Sequence, residues 1–319
     1  MNAVKQAVVL AAGRGKRLQP LTLARSKAMM PIAGKPMVER VLDTLTANGV
    51  SDFVLVVSPD DPAIVDHFTQ HAYYASRIRW AEQTERKGMA HALLQARPHI
   101  HGEFVLSACD NLVPDAHIAE MLRQFKSFTA ARAVLSLMRI PREKAAAGGI
   151  VALRGDRVTR IIEKPQPHEV ISDIASLPLY VFDTRVLDFL PRVQPSPRGE
   201  YELQDAIQLL IDEGDPVTGV ITARRLTVTN VQDLLAINLR YLAATADRLV
   251  HSPIDAATRL IDPILIEAGA HIGAECELGP TVFVERGASI GRGARVREAV
   301  VLRGAEVPPG ARVVQQVVG

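Results

Sequence analysis

At 319 residues the chain can bury a large core and hold two domains. Its 48% apolar and 23% charged residues are ordinary for a globular protein, and a net charge of +2 gives no general case for nucleic-acid binding. No apolar stretch is long enough to span a membrane and the N-terminal run is too short for a signal peptide, so a cytoplasmic location is expected. Cys109 and Cys276 lie far apart without metal-ligand spacing and read as reduced structural thiols.

The apolar run at 7–10 reads as a buried strand. Gly13 and Gly15 follow it, among Arg14, Lys16, Arg17, Arg25, Lys27 and Lys35. Glycines let a backbone turn sharply and approach a ligand, and exposed amides beside cations form an anion site. The stretch Leu10–Pro36 therefore predicts a phosphate-binding loop at the carboxyl end of a first strand. Helical spacing of apolar residues predicts a helix over 37–48, with Gly49 at its end. A buried strand is expected at 53–57, a helix at 62–71, a short strand near 79–82 and a helix at 88–96. Residues 104–109 read as a buried strand that ends in Asp110 and Asn111. This alternation predicts an α/β domain with a parallel sheet and helices on both faces.

The middle is less regular, with strands expected at 133–139, 150–153, 157–163 and 179–182. A proline-rich loop at 191–199 precedes an amphipathic helix at 201–213, and a longer helix is expected at 231–250. From there the pattern changes. Ile254, Leu260, Ile266, Ile272, Leu278, Val284, Ile290, Val296 and Leu302 are each six residues apart, with small residues recurring between them. A strict period of six predicts a β-helix of short strands, and nine units make about three coils. Coil faces and edges left open predict a homo-oligomer.

Two common phosphate motifs fail in the first loop. The P-loop pattern needs Ser or Thr where Arg17 stands and an earlier glycine that is absent, and the dinucleotide fingerprint needs a glycine where Leu18 stands. The run LAAGRGKRLQPLTLARSKAMMPIAGKP instead resembles the N-terminal motif of the sugar-1-phosphate nucleotidylyltransferases. Four later segments agree in order: EQTERKGMAHA at 82–92, CDN at 109–111, IEKP at 162–165 and GEYELQD at 199–205. The resemblance covers nearly the whole chain and includes family members with a C-terminal left-handed β-helix.

What the resemblance implies is a reaction between a nucleoside triphosphate and a sugar 1-phosphate, with UTP or dTTP and glucose 1-phosphate favoured. A sugar phosphate oxygen attacks the α-phosphorus and pyrophosphate leaves, a step that needs positioning and charge neutralisation more than a protein nucleophile. By resemblance, Arg17 sits on the β- and γ-phosphates, Lys27 stabilises charge at the α-phosphorus, and Asp110 holds Mg²⁺. Leu10, Ala11, Ala12, Gly13 and Gly15 line the nucleotide, Gln83 reads the base, and Gly88 lets the backbone approach it. Gly149, Glu163, Lys164 and Ser176 take the sugar phosphate.

The departures from the family pattern are local. Lys16 stands where the family has Thr, Ser26 where it has Pro, Met89 where it has Thr, and Ser176 about where an Asn contacts the sugar. The segment that carries a second metal ligand reads LTVTNVQD here; Thr227, Thr229 or Asn230 occupies the aligned place, and Asn230 is named as the candidate ligand. Two alternatives follow: a homologue that binds nucleotide without efficient turnover, and a bifunctional enzyme with an acetyltransferase site near His271. The expected architecture is a Rossmann-like, mixed, mostly parallel sheet with helices on both faces over 1–241, then a linker and left-handed parallel β-helix over 242–319.

Overall fold

The computed structural model describes residues 4–127, 131–245 and 247–319. Its contacts divide the chain into two units, Met1–Gly13 with Val38–Leu226, and Arg14–Met37 with Thr227–Gly319.

The first unit is built on a nine-stranded mixed sheet. Its strands are β1 (Gln6–Leu10), β2 (Asp52–Val57), β3 (Ile78–Glu82), β4 (Phe104–Ala108), β5 (Ala133–Arg139), β6 (Gly149–Arg154), β7 (Arg157–Glu163), β8 (Ile174–Phe182) and β9 (Val217–Ile221). The spatial order is β3-β2-β1-β4-β8-β5-β9-β7-β6, and β6 also pairs with β8, so one half of the sheet closes on itself. β3, β2, β1 and β4 run parallel, whereas β8 and β7 oppose their neighbours. The parallel strands are near-continuous apolar runs because both faces are covered; Phe53, Val54, Leu55, Val56, Phe104, Val105 and Leu106 are fully buried.

Helices α1 (Met37–Ala47), α2 (Pro62–Thr69), α3 (Met89–Ala96), α4 (Asp115–Ser127), α5 (Val186–Phe189) and α6 (Leu203–Asp212) connect these strands. Strands β1 to β7 and helices α1, α2, α3 and α6 fall where the sequence predicts. Helix α4 and strand β9 escaped prediction. Only a narrow stripe of α4 is buried (His117, Ile118, Met121 and Phe125), so its pattern reads as polar. β9 carries Gly219 in mid-strand, where a Cβ would fall 2.3 Å from Leu137 Cδ1; the glycine that hides the strand from propensity is required by its neighbour. β8 begins at Ile174 rather than 179, and its register against β5 shifts between Ser176 and Tyr180, around Pro178.

The second unit holds the cationic loop, helix α7 (Val231–Thr245) and three parallel sheets of short strands. The loop contains two 3-10 turns, Lys16–Leu18 and Lys27–Met29, and a hairpin of Pro31–Ile32 with Lys35–Pro36. Ala33 and Gly34 both have positive φ, the conformation a two-residue hairpin turn demands. Asn238 of α7, fully buried, fixes this hairpin: Ala33 N donates to its Oδ1 at 2.7 Å and its Nδ2 donates to the Pro31 carbonyl at 3.0 Å.

α7 stops at Thr245, five residues short of the expected end. Arg248–Val250 is instead a strand pairing in parallel with Ile264–Ile266, and Arg248 pairs with Asp262 at 2.7 Å, leaving Leu249 exposed. Each later strand pairs in parallel with one 17 or 18 residues on, for example Leu260 with Leu278 and Val296, and Ile272 with Ile290. The apolar period of six holds through Val296 and then loses one residue. Val301, not Leu302, aligns with Val284, so Leu302 leaves the strand register although it stays buried. The stack also continues past the expected units through Val307, Val313 and Val318.

Candidate active site

In the first unit the parallel ladder runs on past the strand ends. Ala11 N donates to Val56 O, Gln83 N to Val57 O, and Cys109 N to Leu10 O. Leu10–Gly13, Ser58, Gln83 and Asp110 thus leave the same carboxyl edge of the sheet, where open α/β sheets bind ligands. A Cβ on Gly13 would meet nothing within 4 Å, so that edge is open there.

Gln83 is buried, and its Nε2 donates to Gly88 O and meets His91 Nδ1, both at 3.1 Å. Burial lowers the His91 pKa, which suits a neutral ring accepting that bond. The carboxamide is thereby held with its oxygen turned away from Gly88. Gly88 has φ of 98°, and a Cβ there would fall 2.5 Å from the Tyr201 carbonyl oxygen. Its missing side chain serves the passage of the 199–205 segment, whose Tyr201 exchanges backbone bonds with Lys87 and Ala90. Arg86 was not among the expected site residues. Its Nε donates to Ala12 O at 2.7 Å, while its other nitrogens reach Ser58 Oγ at 2.7 Å and Asp60 at 3.1 Å, so it ties the end of the first glycine turn to the loop after β2.

The residues expected at the sugar phosphate come from neighbouring strands. Ser176 of β8 pairs with Gly149 of β6, and Gly149 pairs with Glu163 of β7. A Cβ on Gly149 would lie 3.0 Å from Glu163 Oε2 and 3.2–3.3 Å from the Gln204 side chain, so the glycine lets that carboxylate and Gln204 pack closely against the strand. Glu163 Oε2 is buried without a hydrogen-bond partner. Burial pushes the Glu163 pKa up to about 7, against the opposing pull of Lys164. Lys164 has φ of 45°, donates its backbone N–H to Gly148 O, and places Nζ 3.8 Å from both Glu163 and Glu200. Ser176 Oγ donates to the Tyr180 hydroxyl at 3.3 Å, and both residues are buried.

Asp110 and Asn111 follow β4. Leu112 and Leu226 exchange two backbone hydrogen bonds of 3.0 and 2.7 Å, which brings residue 225 beside them. Arg225 Nε donates to Asn111 Oδ1 at 2.8 Å, and the charges of Arg225 and Asp110 attract. The sequence reading of this segment began at Leu226 and missed Arg225. Nothing local marked it: the residue gains meaning only through the bridge to Leu112.

In the second unit, Gly15 has φ of 65° and a Cβ there would fall 2.7 Å from Lys27 Cβ, so the glycine turn packs on the lysine. Thr22 Oγ1 donates to Gly15 O at 3.0 Å. Leu18 is buried while Arg17 beside it is exposed. Arg25 pairs with the buried carboxylate of Glu285 at 2.8 Å, and Glu285 also accepts the Arg303 backbone N–H at 2.8 Å. Ser26, with φ of −67°, buries a hydroxyl that has no partner. Asn230 Oδ1 accepts the Asp233 N–H at 2.9 Å as the cap of α7, and the Asp233 carboxylate accepts from the Thr229 and Asn230 backbone.

Among the described residues no group of three His, Cys, Asp or Glu side chains comes together. The Asn230 oxygen is engaged as a helix cap, and beside Asp110 lies a guanidinium. Asp110 can offer a carboxylate oxygen to a hard cation that a ligand brings in; the described residues do not form a set that would hold such a cation alone.

Residues 6–243 match the family described as Nucleotidyl transferase, and residues 260–319 match the GMPPB C-terminal domain. A glucose-1-phosphate thymidylyltransferase of Streptomyces griseus is 32% identical over 93% of this chain and 80% of its own length. The UTP–glucose-1-phosphate uridylyltransferase AglF of Haloferax volcanii is 35% identical over 67% of this chain and 87% of its own. A solved UDP-glucose pyrophosphorylase bound to UDP-glucose shares the fold, with a TM-score of 0.68 at 17% identity over 76% of this chain and 99% of that one. The chain belongs to the sugar-1-phosphate nucleotidylyltransferase family.

Proposed function

We propose that the protein transfers a nucleotidyl group from UTP or dTTP to a sugar 1-phosphate, with glucose 1-phosphate favoured. The observation that carries the acceptor half is the cross-strand register of Ser176, Gly149 and Glu163, with the Glu163 carboxylate oxygen buried and unpartnered. A buried acceptor without a partner calls for a donor from a ligand, and sugar hydroxyls supply donors.

In this reading an oxygen of the sugar phosphate forms a bond to the α-phosphorus. The bond from that phosphorus to the bridging oxygen breaks, and pyrophosphate departs with the electron pair. Lys27, held by Gly15, offsets charge at the transferring phosphoryl group, and Arg17 takes the outer phosphates. Gln83 presents its carboxamide oxygen to an N–H on the base edge, as uracil and thymine both have. Glu163 takes sugar hydroxyls and Lys164 takes the sugar phosphate. Asp110 would hold a magnesium ion that arrives with the triphosphate, and such an ion would add to the neutralisation of the phosphates.

The C-terminal strands, recurring every 17 or 18 residues in three parallel sheets, support a left-handed β-helix that serves assembly. The functional division then falls at about 241, in a homo-oligomer of the cytoplasm. The direct test is pyrophosphate release from UTP and from dTTP with a panel of sugar 1-phosphates and Mg²⁺. Turnover with at least one pair is expected; nucleotide binding with no turnover on any sugar phosphate would sink the transferase reading.

A further inference from the structure

Arg225 is a poorly satisfied cation of the first unit. It is half-buried, yet its one hydrogen bond runs from Nε to Asn111, and its two terminal nitrogens have neither a hydrogen bond nor an ion pair among the described residues. Leaving a desolvated guanidinium without partners is costly, and the attraction of Asp110 offsets only part of that cost. The neighbouring Asn111 Nδ2 is a buried donor that also lacks a partner. Unpaired donors therefore gather at one place. At another, Glu163 Oε2 is an unpaired acceptor. β8 runs between the two places: its Leu179 pairs with Ser107 of β4, the strand that leads into Asn111, and its Ser176 pairs with Gly149, the cross-strand partner of Glu163.

These orphan groups match the two ends of a sugar phosphate. Hydroxyl donors suit Glu163, and phosphate oxygens suit a planar guanidinium fork backed by an amide N–H. Lys164 is a weaker anchor for a dianion, because its ammonium already lies 3.8 Å from two carboxylates. We propose that Arg225, oriented by Asn111, joins Lys164 in holding the phosphate of the acceptor, as its stronger anchor, and sets the specificity of that site for a phosphorylated sugar. The inference rests on the transferase reading above.

The test is R225Q, read in kinetics and in thermal stabilisation by glucose 1-phosphate with a non-hydrolysable UTP analogue present. Losing charge-assisted bonds to a phosphate predicts a KM for glucose 1-phosphate raised about ten- to a hundredfold. The KM for UTP and the stabilisation by the analogue alone should stay unchanged, while the added stabilisation by glucose 1-phosphate disappears. Unchanged handling of glucose 1-phosphate overturns the proposal, and so does an equal loss for nucleotide and sugar phosphate. R225K keeps the charge without the fork and guards against misfolding of R225Q; its KM should rise several-fold, and a wild-type value would overturn the proposal as well. Wild-type protein that neither turns over nor is stabilised by any sugar 1-phosphate fails the transferase reading itself, and the inference with it.

Discussion

The cationic loop and the cup around Glu163 differ in the means of binding that we propose for them. In the loop, Arg14–Met37, cations crowd a short contiguous stretch and Arg17 stands exposed, with shape supplied by local packing such as Gly15 on Lys27. In the cup, Ser176, Gly149 and Glu163 come from three strands, the carboxylate is buried, and its charge is suppressed by desolvation. A concentration of cations draws anions from a distance, whereas a desolvated carboxylate recognises only what displaces water from it. The two together suit a reaction that must gather two highly charged phosphates and still read neutral hydroxyls.

Three changes would break or sharpen this contrast. Lys27→Ala carries the largest expected effect: kcat lower by about 10²–10³-fold, typical of removing a group aimed at developing charge, with circular dichroism and thermal midpoint near wild type. Near-normal turnover would remove the loop from the chemistry.

The second concerns pH. The folded-state pKa of Glu163 is raised to about 7 from an ordinary value near 4.5. Its protonated form is therefore favoured by folding below the unfolded pKa, and that contribution is lost as pH rises toward 7, at about 1.4 kcal/mol per unit at most. Sugar hydroxyls require the carboxylate, so the KM for the sugar phosphate should fall as pH rises through about 7. Glu163→Gln should flatten both trends; a profile that survives in Glu163→Gln would assign the titration to another group, such as the sugar phosphate itself.

The smallest effect lies back in the loop. Ser26 has φ of −67°, a value proline adopts without strain, and its buried hydroxyl has no partner. Ser26→Pro is expected to stabilise the protein by about 0.5–1 kcal/mol, chiefly by restricting the unfolded chain, and calorimetry would read the shift. A destabilised variant would mean that the loop needs freedom at this residue.

Legibility in the sequence follows the same division. The cationic loop is contiguous, so its glycines and charges stand out directly, and the parallel strands announce themselves as apolar runs. The repeat region was legible while its period held, and misread at Leu302 because one deleted residue shifts register without changing composition. Gly149, Glu163 and Ser176 gained their site roles through resemblance; their register across β8, β6 and β7 is a tertiary fact. Arg225 and Arg86 were illegible for that reason too. A lone arginine has no pattern, and the partners of these two lie 114 and 74 residues away, at Asn111 and Ala12. Helix α4 was lost because a polar helix with a thin buried stripe gives little periodic signal.

The pair between Arg25 and Glu285 bears on how the chain can be shortened. A fragment ending before Glu285 would retain every residue of the N-terminal motif, yet lose the acid that holds Arg25. It would also lose what lies near the loop's far end, where a Cβ on Gly319 would sit 2.9 Å from Leu21. The repeats are thus a template on which the phosphate loop is cast, and a truncated protein that binds nucleotide poorly would report a lost mould rather than a lost ligand contact.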